Sequence, residues 1–271
     1  MKSKLKIVML LFLIFISTII SAQEMQVLGQ WDFGQTFDVV VDENYMYLAA
    51  GNQVRIYNIS TYEGLKNITW QNEPDTGTLT NFPEPEKILH TNGFIEGLYI
   101  DENYLYIANS NYLEIADISN PRNAFIMSQI ESNCRDVIVK GNYVYTTSDG
   151  IDIINITDKT NPTIVKHIDL TGSNKPRRMD ISNNYLYVAL ETDHRLDIID
   201  ISNPNNPQIV GSYSNGTEQY SSYSSVAVKG NYAYVIEYHH GLRVIDVSHP
   251  QTPTEVDSIL GDNNPNANDI K

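Results

Sequence analysis

Cysteine is almost absent from this chain of 271 residues. Cys134 is the only one, so no disulfide can form within the chain and the fold has to be stabilised by burial. Familiar catalytic motifs are missing as well: there is no Gly-x-Ser-x-Gly turn, no glycine-rich phosphate loop and no His-Glu-x-x-His pair. These absences exclude the enzyme classes that such motifs mark, although an enzyme can also assemble its site from scattered residues.

Helical periodicity and long apolar runs are missing after residue 22. The chain instead alternates short runs rich in Val, Ile and Tyr with Asn, Asp, Gly and Pro, at intervals of about ten residues. Basic residues are also few, 18 against 33 acidic ones, which gives a net charge of −15. These features predict an all-β protein that has no membrane span after residue 22 and does not bind nucleic acid, because an acidic surface repels phosphate.

Residues 1–22 differ from the rest and are typical of a secretory signal peptide. Three lysines, Lys2, Lys4 and Lys6, precede an apolar run over 7–20, and Ser21-Ala22 supplies small residues for cleavage. Cleavage there would remove three positive charges, from −15 to −18. We expect a bacterial-type exported protein in the periplasm, on the cell surface or outside the cell; a retained N-terminal anchor is the alternative. No cysteine closes the apolar run, which excludes a lipobox anchor.

A two-part pattern occurs five times with a period of about forty residues, and such self-similarity determines the architecture. Its first half reads Asn-Tyr-x-Tyr and begins at Asn44, Asn103, Asn142, Asn184 and Asn231. Its second half is an apolar run ending in Asp or Asn, which begins at Val54, Leu113, Ile151, Leu196 and Leu242. The repeats lie near 37–71, 96–130, 135–169, 178–214 and 225–260, with an insertion at 72–94 and a tail at 261–271. We expect one domain over 23–271.

Each repeat divides into four short strands whose two faces are both apolar. In the fifth repeat, Tyr232 and Tyr234 share one face and Ala233 and Val235 the other. A sheet that is apolar on both sides has to be covered on both sides, which predicts a five-bladed β-propeller of four-stranded antiparallel blades.

Closure of the ring is predicted from the N-terminus. Residues 27–31 match residues 209–213, a fourth strand, so we expect the N-terminal strand to close the ring beside the last blade. Residues 254–259 fit the same position, so either the two strands share an edge or further blades belong after residue 260.

The units resemble the LVIVD repeat, named for an apolar run that ends in Asp. The run is Leu242-Arg243-Val244-Ile245-Asp246 in the fifth repeat and Leu196-Asp197-Ile198-Ile199-Asp200 in the fourth. The resemblance covers nearly all of residues 26–260. It implies a propeller on an exported or surface protein, often a module of something larger, with no agreed activity and no designated catalytic residues. We predict no cofactor.

A binding surface is expected on the face formed by the loops that differ between repeats, since loops on a rigid scaffold usually carry function. The residues that enter the first strands there are Phe37, Glu96, Arg135, Arg177 and Ser224, with Arg178 and Tyr223 adjacent. Three arginines near the axis could clamp a carboxylate or phosphate. Alternatively, they are solvated or neutralise Glu96 and Asp136.

A metal site is not predicted, although weak candidates exist in the loops of the last two repeats: Glu191, His194, Glu237 and His239, with Asp193 and His240 beside them. The histidines at 239 and 240 are sequential, so their side chains diverge on an extended chain. We therefore favour a non-catalytic exported module that binds a protein, a glycan or a small anion. The alternative is a metal-dependent hydrolase or lactonase-like enzyme, and a third possibility is a fragment of a larger surface protein.

Overall fold

A computed structural model describes residues 36–42, 44–60, 69–70, 79–80, 84–170, 175–191, 194–216, 222–237 and 240–260. The predicted signal peptide, the N-terminal strand at 27–31, the tail at 261–271 and residues 72–78 and 81–83 of the insertion lie outside these residues. Within them the regular structure is almost all β, and the single helical segment is a 3₁₀ turn at Pro121–Asn123. No helix in the described residues is long and apolar enough to cross a membrane.

Five four-stranded antiparallel sheets make up the fold, which confirms the prediction of five blades. Blade one contains β1 (Thr36–Asp42), β2 (Tyr45–Ala50), β3 (Gln53–Asn58) and β6 (Lys87–His90), and β4 (Thr69–Trp70) pairs with β5 (Leu79–Thr80) in a separate hairpin. Blade two contains β7 (Ile95–Asp101), β8 (Tyr104–Asn109), β9 (Tyr112–Asp117) and β10 (Phe125–Glu131). Blade three contains β11 (Val137–Lys140), β12 (Tyr143–Thr147), β13 (Ile151–Asn155) and β14 (Thr163–Ile168). Blade four contains β15 (Pro176–Ser182), β16 (Tyr185–Leu190), β17 (Arg195–Asp200) and β18 (Gln208–Ser214), and blade five β19 (Tyr223–Lys229), β20 (Tyr232–Glu237), β21 (Gly241–Asp246) and β22 (Thr254–Leu260).

Blade one differs from the sequence-based division, whereas blade five follows it. The fourth strand of blade one, β6, lies inside the predicted insertion, because the extra residues come between the third and fourth strands and Leu89 of β6 is the residue that reaches the core. Blade five obtains its fourth strand from β22, which pairs with β21 along its whole length. From the sequence alone, residues 27–31 fitted this fourth-strand position as well.

The turn between the first two strands requires a left-handed residue, as the Gly and Asn residues there predict. Gly141 and Gly230 have φ values of 58° and 62°, and Asn183 has 53°. Glu102 occupies the same position in blade two with φ of 52°, where a non-glycine residue is strained.

The turn between the third and fourth strands is held by the residue that ends the apolar run. The Asp117 carboxylate accepts hydrogen bonds from the backbone N–H and the hydroxyl of Ser119, at 2.9 and 2.6 Å. Asn58 accepts the same two bonds from Ser60 through its side-chain oxygen. Equivalent backbone bonds are made to Asn155, Asp200 and Asp246. The Asn-x-Ser/Thr sequences at Asn58 and Asn155 are therefore repeat positions with a role in the turn.

Each blade has two apolar faces, and successive blades pack through them. We call the far face of a blade the side that bears the second Tyr of Asn-Tyr-x-Tyr, and the near face the opposite side. The far face of blade four, with Tyr187 and Leu196, packs against the near face of blade five, with Ala233 and Ile245, in one core cluster. The same arrangement joins blades one and two, two and three, and three and four.

The first strands of successive blades lie side by side near the axis. Asp38 in β1 accepts a hydrogen bond from the backbone N–H of Leu98 in β7 at 2.8 Å, and Asp136 accepts one from Met179 in β15 at the same distance. These bonds join the first strands of successive blades. They fix the position of the residues at the entry to those strands, where the candidate site residues lie.

Candidate binding site on the loop face

The side of the propeller that carries the connections between blades and between second and third strands, here called the loop face, contains a cavity of about 190 Å³. Its walls come from three blades and are polar: Glu96, Ser110, Asn133, Arg135, Ser148, Asp149 and Lys175. Glu96 and Arg135 were predicted from the sequence. The cavity therefore lies where the loops of blades two, three and four meet.

An arginine–carboxylate–arginine bridge borders this cavity. Glu191 accepts one hydrogen bond from Arg177 at 3.1 Å and one from Arg135 at 3.4 Å, through different carboxylate oxygens. The three side chains are between 33% and 40% exposed, so the bridge is open to solvent. An ion pair this exposed contributes at most about 1 kcal/mol to stability. The bridge orients the guanidinium group of Arg135, which lines the cavity, and connects it to Arg177 and Glu191 of blade four.

Arg178 has a structural position. Its guanidinium donates hydrogen bonds to the backbone carbonyls of Arg135 at 2.9 Å and of Glu96 at 3.1 Å, and it lies 3.5 Å from Asp136. These contacts connect blade four to the first strands of blades two and three. Those strands approach each other closely at Gly97. A Cβ atom added there would lie only 3.0 Å from the Arg135 carbonyl oxygen. Arg178 thus holds the backbone that positions Glu96 and Arg135.

The remaining predicted residues are placed elsewhere. Tyr223 is completely buried between blades four and five, and burial raises the pKa of its hydroxyl. Ser224 is buried beside it and its hydroxyl donates a 3.4 Å bond to the Ile236 carbonyl. Neither side chain reaches the cavity. Phe37 lies in β1, but its side chain is outside the described part.

Those weak metal candidates that the structure describes are not gathered into a site. Glu191 is held by the two arginines, and Glu237 forms an ion pair with Arg243 inside blade five. His194 lies in a turn with φ of 46°, and His239 is outside the described residues. Among the residues that the structure describes, no three His, Cys, Asp or Glu side chains are grouped so that they could hold a metal ion.

Polar residues inside the blades were missed from the sequence. The second residue of the apolar run is charged in every repeat, and in blades two and three it ties its strand to a loop. In blade two, Glu114 is buried and accepts a bond from the backbone N–H of Asn92 at 3.0 Å, and burial raises its pKa. In blade three, buried Asp152 contacts His167 at 2.5 Å and Ser132 at 3.0 Å. The charge in the middle of an apolar run was the available signal.

Ser148, Asp149, Asn133 and Lys175 in the cavity wall were also missed. They lie in connections with no repeating pattern, so the sequence offers no signal that distinguishes them from other loop residues.

Solved structures with this fold are far from the chain in sequence. The chain is similar to the periplasmic gluconolactonase PpgL of Pseudomonas aeruginosa, with a TM-score of 0.64 and 10% identity over 81% of this chain and 70% of that one. It is similar to a protein from Lactobacillus plantarum (0.63, 13% identity, 83% and 71%) and to the computationally designed Ika8 protein (0.59, 13%, 84% and 63%). The chain thus spans between 63% and 71% of the length of these structures. Identities this low show the fold alone.

Among curated proteins, none matches the sequence. The family model of the LVIVD repeat does match, at residues 33–61, 93–130, 132–169, 175–215 and 222–260. Each match falls on one blade, although the first covers only β1 to β3 of blade one, and together they account for more than half of the chain. The chain belongs to the LVIVD repeat family.

Proposed function

We propose that this chain is an exported, non-catalytic binding module that takes a small anionic ligand or an acidic glycan on its loop face. The observation that carries the proposal is the polar cavity at the junction of three blades, bordered by the Arg135–Glu191–Arg177 bridge. Export is inferred from the composition of residues 1–22.

The chemistry of the cavity walls suits a ligand that has both a carboxylate and hydroxyl groups. Arg135 uses its Nη1 for Glu191, and a guanidinium carries five N–H donors, so it can also hold a ligand carboxylate. Lys175 adds a second cation, and Glu96 and Asp149 are acceptors for hydroxyl donors. The wall has two cations, Arg135 and Lys175, and two carboxylates, Glu96 and Asp149, so its net charge is close to zero. A wall without a positive net charge favours a ligand with few charges over a polyanion.

The test is binding of a panel of small carboxylates, uronic acids and neutral sugars, measured by calorimetry on the wild-type chain and two variants. Arg135→Gln should weaken binding of the best acid at least tenfold, since a charge-assisted hydrogen bond of about 1.5–3 kcal/mol is lost. Arg122→Gln is the matched control. Arg122 lies in the turn between the third and fourth strands of blade two, away from the cavity wall, where it is 65% exposed and pairs with Glu86 of blade one. Equal loss in both variants would refute the proposed site.

The alternative function is a metal-dependent hydrolase or lactonase-like enzyme. The similarity to a gluconolactonase rests on the fold at 10% identity and gives this alternative no advantage. Elemental analysis of the purified protein, with melting curves in EDTA, separates the two. A stoichiometric metal whose removal lowers the melting temperature would favour the enzyme.

A further inference from the structure

A second polar cavity adjoins the candidate site on the loop face. It has a volume of about 330 Å³, and its walls are formed by Asn111, Tyr112, Glu131, Ser132 and Asn133. Asn133 also lines the candidate site, so the two cavities meet at this residue. Tyr112 and Glu131 belong to the third and fourth strands of blade two, which places the second cavity further from the axis. We call it the outer cavity, and the cavity at Glu96 and Arg135 the inner cavity.

The walls of the outer cavity are held in place by a buried layer of hydrogen bonds. Asn109 is completely buried, and its side-chain oxygen accepts bonds from the backbone N–H groups of Asn111 and Tyr112, at 3.0 and 2.8 Å. The backbone N–H of Ser132 donates to the Asn111 carbonyl at 3.2 Å, and its buried hydroxyl donates to the Asp152 carboxylate at 3.0 Å. These bonds fix the two wall segments to each other before a ligand binds.

The size of the outer cavity suits a small molecule. Its volume of about 330 Å³ lies within the range of about 300–1,000 Å³ that is typical of ligand pockets, whereas the inner cavity, at about 190 Å³, lies below it. All wall residues of the outer cavity belong to 84–170, a segment that the structure describes without a gap. A ligand that fills the inner cavity therefore has room to extend into the outer one.

The two cavities differ in charge. The described wall of the outer cavity contains one carboxylate, Glu131, and no cation, whereas Arg135 and Lys175 line the inner cavity. Without a cation beside Glu131, the outer cavity disfavours a second anionic group. A metal ion would need further ligands, and among the described residues no three acidic, His or Cys side chains are grouped to hold one.

Hydroxyl groups match the outer cavity best. The exposed side chains of Asn111 and Asn133 offer amide donors and acceptors, and the Glu131 carboxylate is an acceptor. The hydroxyls of a neutral sugar donate and accept in turn, so they can satisfy both kinds of group. The partly buried Tyr112 adds an aromatic surface for the apolar side of a sugar ring.

We propose that the two cavities form one groove that binds an acidic oligosaccharide, with a uronic acid unit in the inner cavity and a neutral sugar unit in the outer cavity. The inference rests on the proposed function, since the inner cavity is the anion site described there, and it specifies the ligand class. Neighbouring units of a glycan occupy neighbouring cavities, and the Asn133 side chain lies where both units can contact it.

The test measures binding to the full chain by calorimetry. The probes are a free uronic acid, a neutral hexose, disaccharides that join the two in either order, and the same disaccharides with an amino sugar in place of the hexose. At least one acidic disaccharide with the neutral hexose should bind at least tenfold more tightly than the free uronic acid, because the second unit gains hydrogen bonds, one of them to a charged group.

Two variants assign this gain to the outer cavity. Glu131→Ala should remove the gain, so that the disaccharide binds no more tightly than the uronic acid binds to the wild-type chain. Asp257→Ala is the matched control, because it also removes an exposed carboxylate from a fourth strand, in blade five and away from both cavities. It should keep the full gain.

Four outcomes would overturn the proposal. The disaccharides bind no more tightly than a uronic acid whose binding Arg135→Gln weakens, in which case the anion site stands without the groove. Asp257→Ala removes the gain as fully as Glu131→Ala, in which case net charge causes it. The amino-sugar disaccharides bind most tightly, in which case the outer cavity selects a cation. Or no acidic probe binds, in which case the proposed function fails together with the groove.

Discussion

At the scale of single residues, the turns that end the apolar runs make the stability of the protein sensitive to acid. The hydrogen bonds from Ser119, Ser202 and Ser248 lower the pKa values of Asp117, Asp200 and Asp246. A carboxyl whose pKa is lower in the folded than in the unfolded state stabilises the fold above its unfolded pKa of about 4, and this stabilisation is lost as the pH falls through the folded pKa.

We predict that replacing these three aspartates by asparagine makes the free energy of unfolding less dependent on pH between about pH 4 and pH 2, while changing it little at pH 7. Asn58 and Asn155 show that an asparagine oxygen accepts the same backbone bond without titrating. Burial raises the pKa values of Glu114 and Asp180, which act in the opposite direction and are unchanged in the variant. Urea denaturation at a series of pH values measures this, and an unchanged acid slope would contradict the role assigned to the turns.

At the scale of the strand, the close approach of blades four and five depends on Gly211. A Cβ atom there would lie 1.9 Å from the carbonyl oxygen of Pro250, in the turn between β21 and β22. The Pro250 carbonyl belongs to the backbone, so a side chain at residue 211 fits only if the turn of blade five moves away from β18.

We predict that Gly211→Ala lowers the free energy of unfolding by about 1–3 kcal/mol through overpacking. Ser212→Ala, at the next and exposed position of β18, should change it by less than about 0.5 kcal/mol. Equal denaturation midpoints for the two variants would show that the blades do not meet in this way.

The elements were easier to predict than the site, for physical reasons. The alternation of Tyr232, Ala233 and Tyr234 places successive side chains on opposite faces of the strand, and the structure buries Ala233 on the near face as expected. Site residues follow no such rule. Glu191 and Arg135 are 56 residues apart and come together only through the packing of blade three on blade four. The sequence supplied the arginines but not their partner.

At the scale of the whole molecule, the described residues form four closed interfaces between successive blades, while the far face of blade five is more exposed than the other four. Equivalent residues in blades four and five should therefore contribute differently to the free energy of unfolding. Leu196 and Leu242 begin the apolar runs of blades four and five, and the structure buries the first completely and the second only in part. The two positions therefore form a matched pair in which only the neighbouring blade differs.

The most direct measurement of this central claim compares the free energies of unfolding of Leu196→Ala and Leu242→Ala by chemical denaturation. Leu196→Ala should cost about 2–5 kcal/mol, because it removes a completely buried side chain from the interface between two blades. Leu242→Ala should cost less than half as much, since that side chain already contacts solvent. Equal losses would contradict the account, because they would mean that the far face of blade five is covered as fully as that of blade four.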